Sequence, residues 1–349
     1  MKADTLNAKD LFEKNVRYVI PTFQRPYVWK QEEQWEPLWI DVQNAAERYL
    51  DALEEAEGDW AKAESIAGRH FLGAIVVQQE LTGAAEIETR NVIDGQQRLT
   101  TLQLLIDAAQ EVAEESGWDD IAEGLNDLVL NNKRYARKDP DHIFKLWPTA
   151  TDRGAFRAAM VNGADTESHA ESQITAAHEY FKLRIADWAQ AALDGEERER
   201  RIHALETALL GLLELVVIDL GSSDDAFVIF ETLNARGTPL RPSDLVKNYI
   251  MQTVAGAGGS PDDVHAQYWI QFEDDDWWQT DVRQGRLTRP RTDVFLDYWL
   301  ELATGTEVAS HEVFPRFQEF VASAGRPITD IAAYIQESGA TYRSIDRID

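Results

Sequence analysis

Residues 16–20, VRYVI, are apolar except for Arg17 and end at Pro21, so a short strand is predicted there. From 35 to 56, WEPLWIDVQNAAERYLDALEEA, the apolar positions recur at helical spacing, with Pro37 where the first turn tolerates it. FLGAIVVQQE and AEIETRNVI read as two strands of a hairpin, joined by a loop that holds Thr82 and Gly83. The second strand leads into Asp94. Leu99, Leu102, Leu105, Ile106 and Ala109 then give a helix one apolar face, with Gln103, Asp107 and Gln110 on the other.

Helical text continues to about 215, interrupted by loops around Lys138 to Asp141 and Gly163 to Ser168. LELVVIDL predicts one more buried strand. Beyond it, cap-type Ser222 and Ser223 open a helix carrying Ala226, Phe227, Phe230 and Leu233, which Asn234 and Gly237 close. Another helix begins near Ser243, and 251–349 is helix-like, with GAGGSPDD as the clearest linker. No internal repeat is present in the sequence. The fold class predicted is α+β: a mixed core over 1–110, a large helical insertion over 111–213, completion of the core over 214–250 and a helical part over 251–349.

With 349 residues, 44% of them hydrophobic, the chain is long enough to bury a sizeable core. It has no cysteine, which removes disulfides, thiolate metal sites and cysteine nucleophiles together. The longest apolar-rich run, ALLGLLELVVIDL, is broken by Glu214 and is too short to span a bilayer, and the N-terminus carries no apolar signal core. A soluble cytoplasmic protein without a membrane partner is expected. A formal net charge of -28 argues against a general nucleic-acid binder, because the mean field repels phosphate. A polyanion would need a local basic cleft. Arg283, Arg286, Arg289 and Arg291 in RQGRLTRPR offer one, with a solvated charge run as the alternative, whereas NNKRYARK at 131–138 reads as solvated.

The stretch NVIDGQQRLTTLQLL asks for chemistry. Asp94 and Gln97 stand three apart at a helix start, the spacing of a capping box. That accounts for Asp94, Gly95 and Gln97 and leaves Gln96 and Arg98 without a role. A helix start after a strand and a glycine is also a place to bind an anion. It contributes at most about 2 kcal/mol, a charge-assisted hydrogen bond about 1.5–3, and micromolar affinity needs about 8. Other donors must therefore converge, and the sequence offers Gln24 and Arg25, Asn234 and Arg236, and Lys247 with Asn248. In such a site Asp94 would hold a divalent metal or orient a water.

Tyr27 and Trp29 fall in a loop and could stack on a base, whereas Trp35 and Trp39 share one helix face and read as core. His70, before a strand, reads as structurally hydrogen-bonded. The acids of EDDD at 273–276 read as a solvated run, and Asn234 with Gly237 can simply end a helix.

Four blocks, IPTFQRPYVW, HFLGAIVV, VIDGQQRLTTLQLL and FETLNARGTPLRPSDLVKN, in this order from Ile20 to Asn248, resemble the GmrS-like domain of GmrSD-type modification-dependent restriction systems. The resemblance implies a ParB/sulfiredoxin-like core in which Asp94, Gly95, Gln96, Gln97 and Arg98 bind and hydrolyse a nucleoside triphosphate, GTP or ATP, with Mg2+ as the metal. Gln24 and Arg25 match the family's QR pair; Asp94, Gln97 and Arg98 are the catalytic expectation, and Gln24, Arg25, Gly95 and Gln96, with Asn234, Arg236 and Lys247 as a second tier, the nucleotide-binding one. Phe23 stands where the family often has tyrosine. Tyr27, Trp29, Arg283, Arg286, Arg289 and Arg291 are the DNA-binding expectation. The alanine-rich, acidic chain most resembles the SspE-type members, which sense phosphorothioate-modified DNA. The expected partners are modified DNA, nucleotide, a downstream HNH-type nuclease domain of the same protein and further copies of the chain. The seven histidines form no HNH-like cluster, and HEVFP at 311–315 lacks the spacing, so this stretch is expected to lack nuclease activity of its own. A non-hydrolysing module that binds modified DNA, with nucleotide only as a switch, is the alternative.

Overall fold

The two most continuous apolar runs lie side by side in one sheet. β3 (His70–Gln79) pairs in parallel with β6 (Leu213–Leu220), in a register running from His70↔Leu213 to Gln78↔Leu220. The structure, a computed structural model, describes residues 1–22, 24–83, 85–161, 167–221, 241–284 and 287–346. The described chain divides into two units, Met1–Pro21 with Pro26–Ala226, and Thr22–Arg25 with Phe227–Asp349.

The first unit is built on a six-stranded mixed sheet in the order Lys2–Asn7 (β1), β6, β3, Glu88–Asp94 (β4), Val16–Val19 (β2) and Leu146–Trp147 (β5), so α+β is the class observed. The predicted hairpin forms, β3 antiparallel to β4, and β2 runs parallel to β4 and to the short β5. β1 (Lys2–Asn7) was not foreseen, because its residues are largely exposed and carry no apolar alternation. It forms because β6 has a free edge whose backbone groups need partners, and its Lys2–Asp4 ion pair puts charge on the outer edge.

The helix Glu36–Glu55 carries Pro37 in its first turn and buries Trp39, Val42, Ala45, Ala46 and Tyr49. The helix Gln96–Glu115 is buried on nearly every side. Gln103 and Asp107, set on the polar face by sequence pattern, are buried as well, because the helices Asp119–Val129 and Gln173–Gln190 cover that face. The sheet and these helices share one hydrophobic core.

The second unit packs the helices Pro242–Gly256, Arg291–Thr304, Val313–Ala324 and Ile328–Asp346 around an aromatic core of Trp269, Phe272, Trp278, Phe295 and Trp299. A hairpin of β7 (Asp281–Gln284) and β8 (Leu287–Pro290) precedes the second of these helices. The expected helix running through Phe227 to Leu233 lies outside the described residues. β6 belongs to the first unit and the helix Pro242–Gly256 to the second. Among the described residues no helix is long and apolar enough to cross a membrane.

Candidate functional site

β4 ends at Asp94, and the next residue makes the turn into the helix. Gly95 has φ +90°, and a Cβ there would stand 2.6 Å from Cγ2 and 3.1 Å from Cα of Ile75, so only glycine fits. The helix Gln96–Glu115 begins at once, and no side chain caps its start. The capping box expected of Asp94 and Gln97 is therefore not formed. Gln97 turns instead to the 26–28 loop: its Oε1 accepts from the Val28 N–H at 2.9 Å and its Nε2 donates to the Pro26 carbonyl at 2.9 Å. Both ends of this buried amide are engaged, so Gln97, expected to be catalytic, holds the loop in place in this arrangement.

Arg98 lies back across β3. Its Nη1 donates to the Ala74 carbonyl at 2.5 Å, and its guanidinium fills the space that the missing side chain of Gly73 leaves open. Burial lowers the Arg98 pKa, and the charge of Asp94 pulls the other way. An arginine remains cationic under such a shift. The Gln96 Oε1 is buried without a hydrogen-bond partner among the described residues. The first turn of a long helix, a cation, a carboxylate and an unpaired amide oxygen thus belong to five consecutive residues.

Tyr27, expected to offer a stacking face, is buried. Its hydroxyl lies 2.6 Å from the Thr101 Oγ1 and accepts from the Trp35 indole N–H at 2.9 Å. Its backbone N–H donates to Asp152 Oδ2 at 2.8 Å, and the Thr149 hydroxyl donates to the same oxygen at 2.8 Å. Burial raises the Asp152 pKa, opposed by these two bonds. Trp29 is half-buried against the core, while Trp35 and Trp39 are buried, as their spacing predicts.

Of the other expected residues, Gln24 is buried and Arg25 half-buried, both in the second unit. Lys247, also there, is 1% exposed and ion-paired with Glu273, which the His265 Nε2 meets at 2.8 Å. Glu273 therefore departs from the solvated run predicted for EDDD. Arg283 is exposed on the hairpin. Arg289 pairs with Asp297, and Arg291 lies 4.2 Å over the Trp277 ring and donates to its carbonyl at 2.8 Å. Asn234, Arg236 and Arg286 lie outside the described residues. Within the first unit Gln97 thus turns to the 26–28 loop and Arg98 to β3, and Lys247, Arg289 and Arg291 turn to partners within the second.

Pattern reading missed Gly73 and Asp152, which act through residues far along the chain. It also missed Asp107, Glu111 and His178, whose ligand-type atoms lie within 4.8 Å of one another. These are arranged as ion pairs, His178 with Asp107 at 2.9 Å and Lys182 with Glu111 at 2.8 Å, so Lys182 already supplies a positive charge beside Glu111. The spacing of four on each of two helices was the available signal.

Residues 8–251 match the family model described as the GmrSD restriction endonuclease, N-terminal domain. No curated protein matches the chain.

Proposed function

The chain belongs to the family of GmrSD restriction endonuclease N-terminal domains, and from that premise we propose that it senses modified DNA and hydrolyses a nucleoside triphosphate, GTP or ATP, at Asp94 to Arg98. The observation that carries this reading is the uncapped start of a twenty-residue helix, delivered by the left-handed Gly95 and flanked by Asp94 and Arg98. First-turn N–H groups and the helix dipole favour a polyphosphate there, and the Arg98 guanidinium would counter the charge that grows on the transferred phosphoryl group.

In this reading Asp94 orients the attacking water or holds Mg2+, which would neutralise phosphate charge. Gln96 uses its unpaired Oε1 on water or ligand, and Gln97 positions the 26–28 loop. Gln24, Arg25, Asn234, Arg236 and Lys247 stay assigned to nucleotide binding on the family resemblance alone. For Lys247 this requires leaving Glu273. DNA would meet Trp29 and the arginines of 283–291, with Tyr27 fixing the loop rather than stacking. Phosphorothioate is the modification we assign, read out by a downstream nuclease domain.

The test is phosphate release by wild type, Arg98→Ala and Arg98→Lys, each with no DNA, plain duplex and phosphorothioate duplex. We expect wild-type turnover stimulated by the modified duplex, about a hundredfold or greater loss in Arg98→Ala, and partial recovery in Arg98→Lys. Turnover of Arg98→Ala at the wild-type rate would refute the assignment. No turnover by wild type, with modified-DNA binding intact, would favour the non-hydrolysing module.

A further inference from the structure

Trp147, at the end of β5, is surrounded by guanidinium groups. The Cζ atoms of Arg17, Arg157 and Arg153 stand 5.2, 5.5 and 5.7 Å from its ring centroid. Three cations around one indole are unexpected in a chain of net charge -28. Arg157 is matched: its Nη2 meets both Asp141 carboxylate oxygens, at 2.8 and 2.7 Å. The other two are not. Arg17 is 9% exposed, its side chain donates no hydrogen bond to a described residue, and its Nε is buried without a partner. Arg153 makes one long hydrogen bond, from Nε to the Pro148 carbonyl at 3.4 Å, and no ion pair with a described residue. A guanidinium has five N–H donors, and a buried polar group without a partner is costly.

Stacking on Trp147 recovers part of that cost, since a desolvated cation–π contact contributes about 2 kcal/mol. It leaves donors of Arg17 and Arg153 in the guanidinium planes without a partner among the described residues. Asp139, Asp141 and Glu80 lie near enough to attract Arg17, but none of them forms an ion pair with Arg17 or Arg153 among the described residues, and Asp141 is taken by Arg157. Arg153 is half-buried and the Arg157 side chain is 48% exposed, so the cluster opens to solvent on that side. Planar forks with free donors fit a tetrahedral oxyanion better than any neutral group.

We propose that Arg17 and Arg153, held over Trp147, form a phosphate subsite that takes a phosphoryl group of a nucleotide or of a polynucleotide backbone. The subsite is separate from Asp94 to Arg98 and does not depend on hydrolysis there. Its chain neighbour Asp152 holds the Tyr27 N–H, so occupancy at Arg153 lies one residue from the contact that fixes the 26–28 loop.

The experiment measures equilibrium binding of pyrophosphate, of GTP and of a 20-base-pair plain duplex to wild type, Arg153→Gln and Arg17→Lys, with melting curves for each. We expect Arg153→Gln to melt as wild type and to bind pyrophosphate about tenfold more weakly. A parallel loss for GTP alone assigns the phosphoryl group to nucleotide. A loss for the duplex, with its salt dependence reduced by about 0.9 in slope, assigns it to the backbone. Unchanged affinity for all three probes in folded Arg153→Gln and Arg17→Lys overturns the subsite, whatever Arg98→Ala does to phosphate release.

Discussion

Gly73 and Arg98 compete for one volume: a methyl group on Gly73 would stand 2.9 Å from the Arg98 guanidinium carbon, and the Gly73 backbone holds φ at +111°. The strand is left without a side chain where the arginine crosses it. Gly73→Ala should therefore cost about 1–3 kcal/mol from backbone strain and displace Arg98 as well. Denaturant unfolding of Gly73→Ala, Arg98→Ala and the double variant checks this. The double variant should recover the part due to the clash and keep the part due to φ, giving a coupling of about 0.5–3 kcal/mol. Strict additivity would show that the two residues do not share the space.

Gln97 makes a sharper case, because both ends of its amide meet backbone groups of the 26–28 loop. Gln97→Glu keeps the acceptor for the Val28 N–H and sets an oxygen against the Pro26 carbonyl. About 1–3 kcal/mol of stability should be lost, with greater proteolytic cutting near Tyr27. If Gln97→Glu unfolds at the wild-type midpoint and the loop is cut no faster, Gln97 does not position it.

The buried His178 and Asp107 predict a pH dependence. Burial alone would push His178 down, but the hydrogen bond and charge of Asp107 outweigh it and raise the histidine. A histidine raised on folding contributes stability that is complete below its unfolded value, about 6.5, and is lost as pH rises through the higher folded value. Unfolding free energy should accordingly fall from pH 6 toward alkaline pH, and His178→Gln should flatten that slope. An equal slope in the variant would place the titration elsewhere.

In the second unit Lys247 is matched by Glu273, and the reverse pH sign applies. Burial pushes Glu273 up, yet His265 and Lys247 together bring it below its ordinary value. Its contribution is present above about pH 4.3 and is lost as pH falls through the depressed folded value. Glu273→Gln strands a buried ammonium and should cost about 3–5 kcal/mol at pH 7, whereas Glu273→Gln with Lys247→Met should recover most of it. Thermal unfolding of the two variants separates these outcomes. No recovery in the double variant would mean that the lysine is not stranded.

Much of the frame was legible in residue order. VRYVI, HFLGAIVVQQ and LELVVIDL are mostly apolar over strand-length stretches, and Gly95 between strand and helix marks the turn. β1 was not legible, since Lys2–Asn7 becomes a strand only because β6 offers it an edge. The same limit hid the polar interior. Gln103 and Asp107 pattern as solvent-facing, and only the helices packed across them make them core.

Local order along the chain thus determined which segments are strands and helices, and that Asp94 to Arg98 stand at a helix start, because periodicity and backbone sterics act over a few residues. Tertiary structure alone decided what those side chains do: that Gln97 reaches Pro26 and Val28, that Arg98 crosses at Gly73, that Tyr27 is buried and that Arg17 meets Arg153 over Trp147. Each of these pairings joins residues 20 or more positions apart or sets a side chain's exposure. Hydrogen bonds and close packing act over a few ångströms of space, and distance along the sequence does not encode them.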